Sequence, residues 1–284
     1  MHLTKRPVVD ELEEILFELL PVLDHGFVRV VDYYGNDDAI VQAARVSYGK
    51  GTKKKSADNA LIRYLMRHDH TSPFEMCDIK LHIKCPIFVA RQWLRHRTAS
   101  VNEYSARYSI MKDEFYTPEK ENIAKQSENN KQGRGDSIEN ANHIIEKIDN
   151  HNNKSYELYD YFLNDDINLS RETARSVLPV NVYTEFYWKI NLHNLLHFLR
   201  LRADSHAQYE IRVFAEMIES IVKKWVPVTY EAYEDYRKES IKFTKNEFNY
   251  IKSLLQKREK TELLDKLSSR EKKKLLYLLK ENCI

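Results

Sequence analysis

Arg95-His96-Arg97-Thr98-Ala99-Ser100-Val101-Asn102-Glu103-Tyr104-Ser105-Ala106-Arg107-Tyr108 is the stretch that decides how the rest of the chain is read. Its fourteen residues hold three Arg, one His, one Glu, one Asn and two Ser, and the only aliphatic side chains are Ala99, Val101 and Ala106. No helix or strand facing a core is written this way, because each polar group buried without a partner costs about 1–3 kcal/mol. Something polar and anionic must sit against it. Arginine forks suit phosphate or carboxylate, and the Ser, Asn and Glu between them can read the edge of a planar heterocycle. The plain alternative is a solvated charged loop, although surface runs usually mix Lys with Glu rather than Arg with His.

Toward the N-terminus the pattern becomes regular. Cys77 to Val89 reads as a strand with Ile79, Leu81 and Ile83 alternating, and Pro86 suits the opening of a helix that runs through Trp93 into the polar segment. Gln92 and Arg95, three apart, share one face of that helix. Earlier still, Val8 to Leu20 has helical periodicity ended by Pro21, Phe27 to Asp32 alternates as a strand, and Ala39 to Tyr48 and Ala57 to Arg67 are helical. The last of these delivers His68-Asp69-His70-Thr71-Ser72-Pro73-Phe74-Glu75, which suits a helix-to-strand turn. Its two histidines could also suggest a metal, but no further ligands cluster nearby.

Toward the C-terminus, Glu119 to Asp136 is polar and reads as an exposed loop, and Ser137 to Phe162 is helical with a possible break near Asn150 to Asn153. Ser170-Arg171-Glu172 opens a short helix ending before Pro179, where Arg175 could be a helix-dipole partner. Asn181 to Ile190 reads as a strand or aromatic core. Asn191 to Arg202 has leucines at helical spacing with His193 and His197 on another face, a pair without the Glu of H-E-x-x-H and without a third ligand. Ile211 to Trp225 is amphipathic up to Pro227. Thr244-Lys245-Asn246-Glu247 and Ser268-Ser269-Arg270-Glu271 are capping boxes opening short, Lys-rich helices, and Lys272-Lys273-Lys274 reads as a solvated face.

Composition sets the outer bounds. The 284 residues can bury a sizeable core, and 45 basic against 43 acidic side chains, net +2, give no bulk attraction for nucleic acid or membrane. Three cysteines, Cys77, Cys85 and Cys283, lack metal-ligand spacing. With no signal peptide and no long apolar run, the chain reads as soluble and cytoplasmic with reduced thiols. Only six glycines and no G-x-G-x-x-G argue against a dinucleotide cradle, and Gly49-Lys50-Gly51-Thr52-Lys53 reads as a basic turn.

The central segment resembles the R-H-R-x-x-S-x-N-x-x-S-x-R signature of the flavin-dependent thymidylate synthases, through Arg95, His96, Arg97, Ser100, Asn102, Ser105 and Arg107. Further resemblances lie in His70-x-Ser72-Pro73-Phe74-Glu75, with Ser where Thr is more usual, in Ala174-Arg175-x-x-Leu178-Pro179, and in Leu201-Arg202 followed by Ala207-Gln208-x-Glu210. The resemblance implies reductive methylation of dUMP to dTMP with FAD, NADPH and 5,10-methylenetetrahydrofolate, in a homotetramer whose sites are shared between subunits. It implies catalytic roles for Arg202 and His70, and dUMP binding by Gln92, Arg95, Glu103, Ser105, Ala106, Arg107, Arg175 and Arg202. It also implies FAD contacts from Ser72, Glu75, Arg95, His96, Arg97, Glu103, Asn191, His193 and His197, the last two standing where other members carry Arg or Asn. No metal is implied. Two other readings compete on the residues alone: an RNA or nucleotide-binding module built on the Arg-rich segment, which the near-neutral charge disfavours, and a metal hydrolase using His68, His70, His193 and His197.

The fold expectation is α+β, with helices packed on a mostly antiparallel sheet. One catalytic domain spans about residues 26–230, with helical extensions over 1–25 and 231–284.

Overall fold

The computed structural model describes residues 6–46, 58–128, 133–255 and 269. The chain divides into two compact units, Met1–Lys238 and Glu239–Ile284. The first is α+β. Its elements are α1 (Asp10–Glu13), β1 (Leu20–Val22), β2 (Gly26–Tyr34), α2 (Asp37–Arg45), α3 (Asp58–Arg67), β3 (Asp78–Pro86), α4 (Ile87–Trp93) and β4 (Ser100–Glu103). Then come β5 (Ala124–Gln126), β6 (Arg134–Ser137), α5 (Ala141–Leu163), α6 (Arg171–Ala174), β7 (Tyr183–Asn191), α7 (Leu192–Arg202), α8 (Tyr209–Trp225) and α9 (Pro227–Tyr233).

Five strands form one sheet in the order β1-β2-β3-β7-β4, each neighbour antiparallel. The expected alternation of Ile79, Leu81 and Ile83 on β3 sets the register. Ile83 lies between Val28 and Phe186, Leu81 between Val30 and Trp188, and Ile79 between Tyr33 and Ile190. A register shift between Val30 and Asp32 inserts one residue, which is why burial jumps from Val30 to Tyr33 rather than continuing in steps of two. Helices α4, α7 and α8 cover this apolar face. Leucines at helical spacing put Leu192, Leu195, Leu196 and Leu199 of α7 inside, and Ile211, Phe214, Ile218 and Val222 do the same for α8. Trp93, the last residue of α4, is fully buried with Phe186, Trp188, Phe198 and Phe214 around it at 4.9–5.9 Å between ring centroids. A smaller cluster of Met111, Phe115, Tyr159, Ala174 and Val182 joins α5 and α6.

Three expected elements differ. Val8 to Leu20 is not one helix: only Asp10–Glu13 is helical, Phe17 takes a left-handed φ of 67° and donates its N–H to Val30 O, and Pro21 lies in β1. The apolar residues are satisfied by packing along the sheet, and a proline is tolerated because β1 is an edge strand. Glu119 to Asp136 is not a bare loop; β5 and β6 pair within it, and Arg134 of β6 reaches an ion pair with Glu210. The helix over Ser137 to Phe162 runs unbroken from Ala141 to Leu163. Helix α8 ends before Pro227 as expected, and Pro227 itself opens α9, whose first N–H groups bond to the Asp37 carboxylate through Val228 and Thr229 at 2.9 and 3.0 Å.

The second unit contains α10 (Lys245–Leu255), opened by the expected capping box: Thr244 and Glu247 exchange side-chain to backbone bonds at 2.8 and 3.3 Å. The Gly49 turn, Cys283, Lys272 to Lys274 and most of the second capping box lie outside the described residues. Among the described residues no helix is long and apolar enough to cross a membrane.

Candidate active site

The decisive segment leaves the core as its polarity requires. Helix α4 ends at Trp93, His96 N–H still reaches back to Trp93 O, and the chain then becomes β4, all four of whose residues are exposed on the outermost strand of the sheet. Arg95 and Arg97 are exposed, and neither guanidinium makes a hydrogen bond or ion pair with any described residue. Two exposed guanidiniums two positions apart, without a partner among the described residues, are a donor set suited to a pyrophosphate or two phosphates.

Arg202, the last residue of α7, donates from Nε to His96 Nε2 at 3.0 Å and from Nη2 to Gln92 O at 3.4 Å. This joins residues that lie 106 and 110 positions apart in sequence. Burial, reinforced by the charges of Arg202 and His197, pushes His96 down to about 4. At neutral pH it is an uncharged imidazole whose Nε2 lone pair orients the guanidinium without repelling it. His197 is likewise held below the usual histidine value, by burial and then by Arg200 and His193.

Four of the nucleotide candidates, Glu103, Ala106, Arg107 and Arg175, line two cavities. One, of about 190 Å³, is lined by Glu103, Tyr104, Ala106, Arg175 and Thr184, with Thr184 Oγ1 donating to Glu103 Oε1 at 2.8 Å. The other, of about 410 Å³, is lined by Arg107, Asn168, Ser170, Arg171 and Glu172. There Arg107 pairs with Glu172 at 3.0 Å, an exposed bridge worth at most about 1 kcal/mol and thus easily exchanged for a phosphate. Ser105 Oγ is taken up by the N–H of Arg107 at 3.3 Å.

His70, Ser72 and Glu75 form a third group, on the turn after α3. The turn is built by Asp69, which takes a left-handed φ of 58°, with His70 N–H reaching back to Leu65 O at 3.0 Å. The ring of His70 stands edge-on to Tyr64 at 5.7 Å. Asn191 caps α7, its Oδ1 accepting from Asn194 N at 3.0 Å and from Asn194 Nδ2 at 2.9 Å, which leaves its NH2 for a ligand. His193 is half-buried in the first turn of α7. No hydrogen bond or ion pair joins these three groups among the described residues. Likewise, no group of three or more His, Cys, Asp or Glu there is placed to hold a metal ion.

Residues 29–228 match the family described as thymidylate synthase complementing protein. A flavin-dependent thymidylate synthase from Wolbachia pipientis wMel is 56% identical over 278 residues, covering 97% of each chain. The enzyme of that name from Rickettsia bellii RML369-C is 56% identical over 98% of this chain and 99% of its own. The chain belongs to the flavin-dependent thymidylate synthase family. As a member it is an enzyme, a methyltransferase and a flavoprotein. The solved structure of the UMP/dUMP methylase PolB from Streptomyces cacaoi, bound with 5-Br dUMP, is similar at a TM-score of 0.69 and 33% identity, over 78% of this chain and all of that one.

Sequence reasoning did not single out Arg237, which braces the turn of one candidate residue. Arg237, in the π-helical turn Glu234–Lys238, donates to Met66 O at 2.6 Å and pairs with Asp69, securing the turn that carries His70. Nothing in its sequence context signals this, since its partners lie about 170 residues away. Gln208 and Glu210 were visible within the A-Q-x-E motif, but a Glu in the first turn of a helix reads as a dipole partner, so its burial was illegible.

Proposed function

We propose that the chain converts dUMP to dTMP in the cytoplasm, taking its one-carbon unit from 5,10-methylenetetrahydrofolate and its reducing equivalents from NADPH, and releasing tetrahydrofolate. The observation that carries this reading is Arg202 held by a neutral His96 close in sequence to the exposed guanidiniums of Arg95 and Arg97, which have no partner among the described residues. That donor set fits the FAD pyrophosphate, with Ser72, Glu75, Asn191, His193 and His197 as further contacts. Bound there, FAD would supply hydride chemistry for completing the methyl group, with NADPH as the source of reducing equivalents.

The protein's own work is positioning and electrostatics. Arg202 stabilises negative charge developing on the uracil ring near N3, a role that suits a cation whose charge persists at working pH. His96 keeps that guanidinium aimed. Gln92, Arg95 and Glu103 orient the nucleotide, while Arg107, Arg175 and the Ser105–Ala106 backbone grip its phosphate. His70 acts at the reacting centre from the turn after α3. No thiol is available for addition to the ring in the described residues: Cys77 and Cys85 are buried, and burial raises the first to about 12 and the second well above its ordinary value. The separation of the candidate residues into three groups in one chain supports a site shared between subunits of a homotetramer. Residues 26–230 carry the chemistry in this reading, with 1–25 and 231–284 as extensions.

The test is the visible spectrum of the purified protein before and after anaerobic NADPH in the presence of dUMP. A flavin band that bleaches, with dTMP formed on adding methylenetetrahydrofolate, is the expected result. A protein that stays colourless and takes up no added FAD would sink the reading.

A further inference from the structure

Glu210 is 3% exposed in the first turn of α8, and its two oxygens are both engaged. Oε1 receives the Tyr116 hydroxyl at 3.1 Å and the Arg134 guanidinium, and Oε2 receives Gln208 Nε2 at 2.8 Å. An ionised carboxylate, as the ion pair with Arg134 makes this one, only accepts hydrogen bonds. The Gln208 amide must therefore turn its NH2 toward Glu210 and its carbonyl away. That carbonyl accepts from Gln92 Nε2 at 2.6 Å. The polarity is handed on: Gln92 spends its NH2 on Gln208, and its own Oε1 has no partner among the described residues. The main-chain oxygen of Gln92 meanwhile accepts from Arg202 Nη2 at 3.4 Å, so the residue that carries this amide stands against the Arg202 guanidinium.

The two ends of a glutamine amide are nearly the same size, so packing alone does not choose between them; here a buried anion two residues removed does. We propose that Glu210 and Gln208 are positioning residues that hold the Gln92 amide with its oxygen outward, where it accepts a hydrogen bond from the nucleotide. The inference rests on dUMP being the substrate. That nucleotide offers two such donors, the N3–H of the ring and the 3′-hydroxyl of the sugar, and a fixed acceptor discriminates against an analogue lacking whichever one it meets.

The test uses the FAD-loaded full chain without NADPH, titrated calorimetrically with dUMP, with dCMP, which has no N3–H, and with 2′,3′-dideoxyuridine monophosphate, which has no 3′-hydroxyl. Gln208 is exposed, so Gln208→Leu cuts the relay without leaving a buried charge unpaired, whereas Glu210→Gln strands Arg134 and serves as a second variant. Gln208→Leu is expected to weaken dUMP binding about tenfold, the scale of one lost orienting hydrogen bond. In turnover it should raise KM for dUMP while leaving kcat and the KM for methylenetetrahydrofolate unchanged, a split that general loosening of α8 would not produce. The penalty should vanish with the analogue lacking the donor that Gln92 reads, which identifies that donor. Unchanged dUMP affinity in Gln208→Leu would overturn the inference and leave the proposed function standing, as would an equal penalty on all three nucleotides. A wild-type protein that holds FAD and binds no dUMP would overturn the substrate reading itself.

Discussion

Strands β3 and β4 flank the same strand, β7, and are otherwise opposites. Ile79, Leu81 and Ile83 of β3 are fully buried beneath the covering helices, while Ser100, Val101, Asn102 and Glu103 of β4 are all exposed. Trp188 makes the contrast within one row of the sheet, for it is paired with buried Leu81 on one side and with exposed Val101 on the other. On the β3 side, side chains are committed to one another and the fold draws its stability there. Along β4 and its flanks they are held in place but left open to ligands, so binding can use them without first breaking the fold.

The contrast can be broken most directly at Trp188. Trp188→Ala should cost about 3–5 kcal/mol, read as a drop in the urea midpoint, because a fully buried aromatic is removed from a packed row. A loss under about 1 kcal/mol would mean that the covered face is not where stability resides. Arg202→Ala should do the reverse, lowering dTMP formation about 10²–10³-fold, with an unfolding midpoint close to that of the wild type. Arg237→Ala lies between these extremes: losing a cation at the end of α3 should cost about 1 kcal/mol and speed proteolysis at the Asp69 turn.

Acid should reveal both regions in turn. His96, held at about 4 against an ordinary 6.5, contributes stability that is complete above pH 6.5 and is lost as pH falls toward 4. Glu185, held at about 2 by its bond to His82 and the charge of Lys112, contributes above its ordinary 4.5 and loses that contribution as pH falls toward 2. Urea midpoints from pH 8 to 3 should therefore decline in two stages, and His96→Asn should abolish the first; a variant with an unchanged profile would remove His96 from the account. The smallest effect belongs to Val101→Ala, at most about 0.5 kcal/mol on an exposed edge strand.

Regular periodicity was the most legible feature. The alternation in β3, the leucine spacing of α7 and the amphipathic run of α8 each led to the observed element, because their burial is a property of a repeating local pattern. The N-terminal segment misled for the same reason. Its apolar spacing matched a helix, yet only Leu12 is fully buried, Val9, Ile15, Leu16 and Leu20 pack partly buried against the core, and a bridge from Leu16 to Val30 replaces helical bonding. The β5–β6 hairpin was hidden by its polar composition, since its anchor is the reach of Arg134 to a buried Glu210 rather than an apolar stripe. At the candidate site, the residue types announced anion chemistry, but not which of them stand together.

The sequence by itself determined that this chain builds an antiparallel sheet under amphipathic helices, and that an arginine-rich segment must leave that core to meet a polar ligand. Both follow from local rules: side-chain period decides which face is buried, and unpaired polar groups are expelled from apolar interiors. Only the tertiary structure decided that His96 is a neutral acceptor for Arg202, that Arg237 secures the turn of His70, and that a buried Glu210 orients Gln92 through Gln208. Protonation state and hydrogen-bond direction depend on which groups from distant parts of the chain share a desolvated space, and sequence spacing carries no record of that distance.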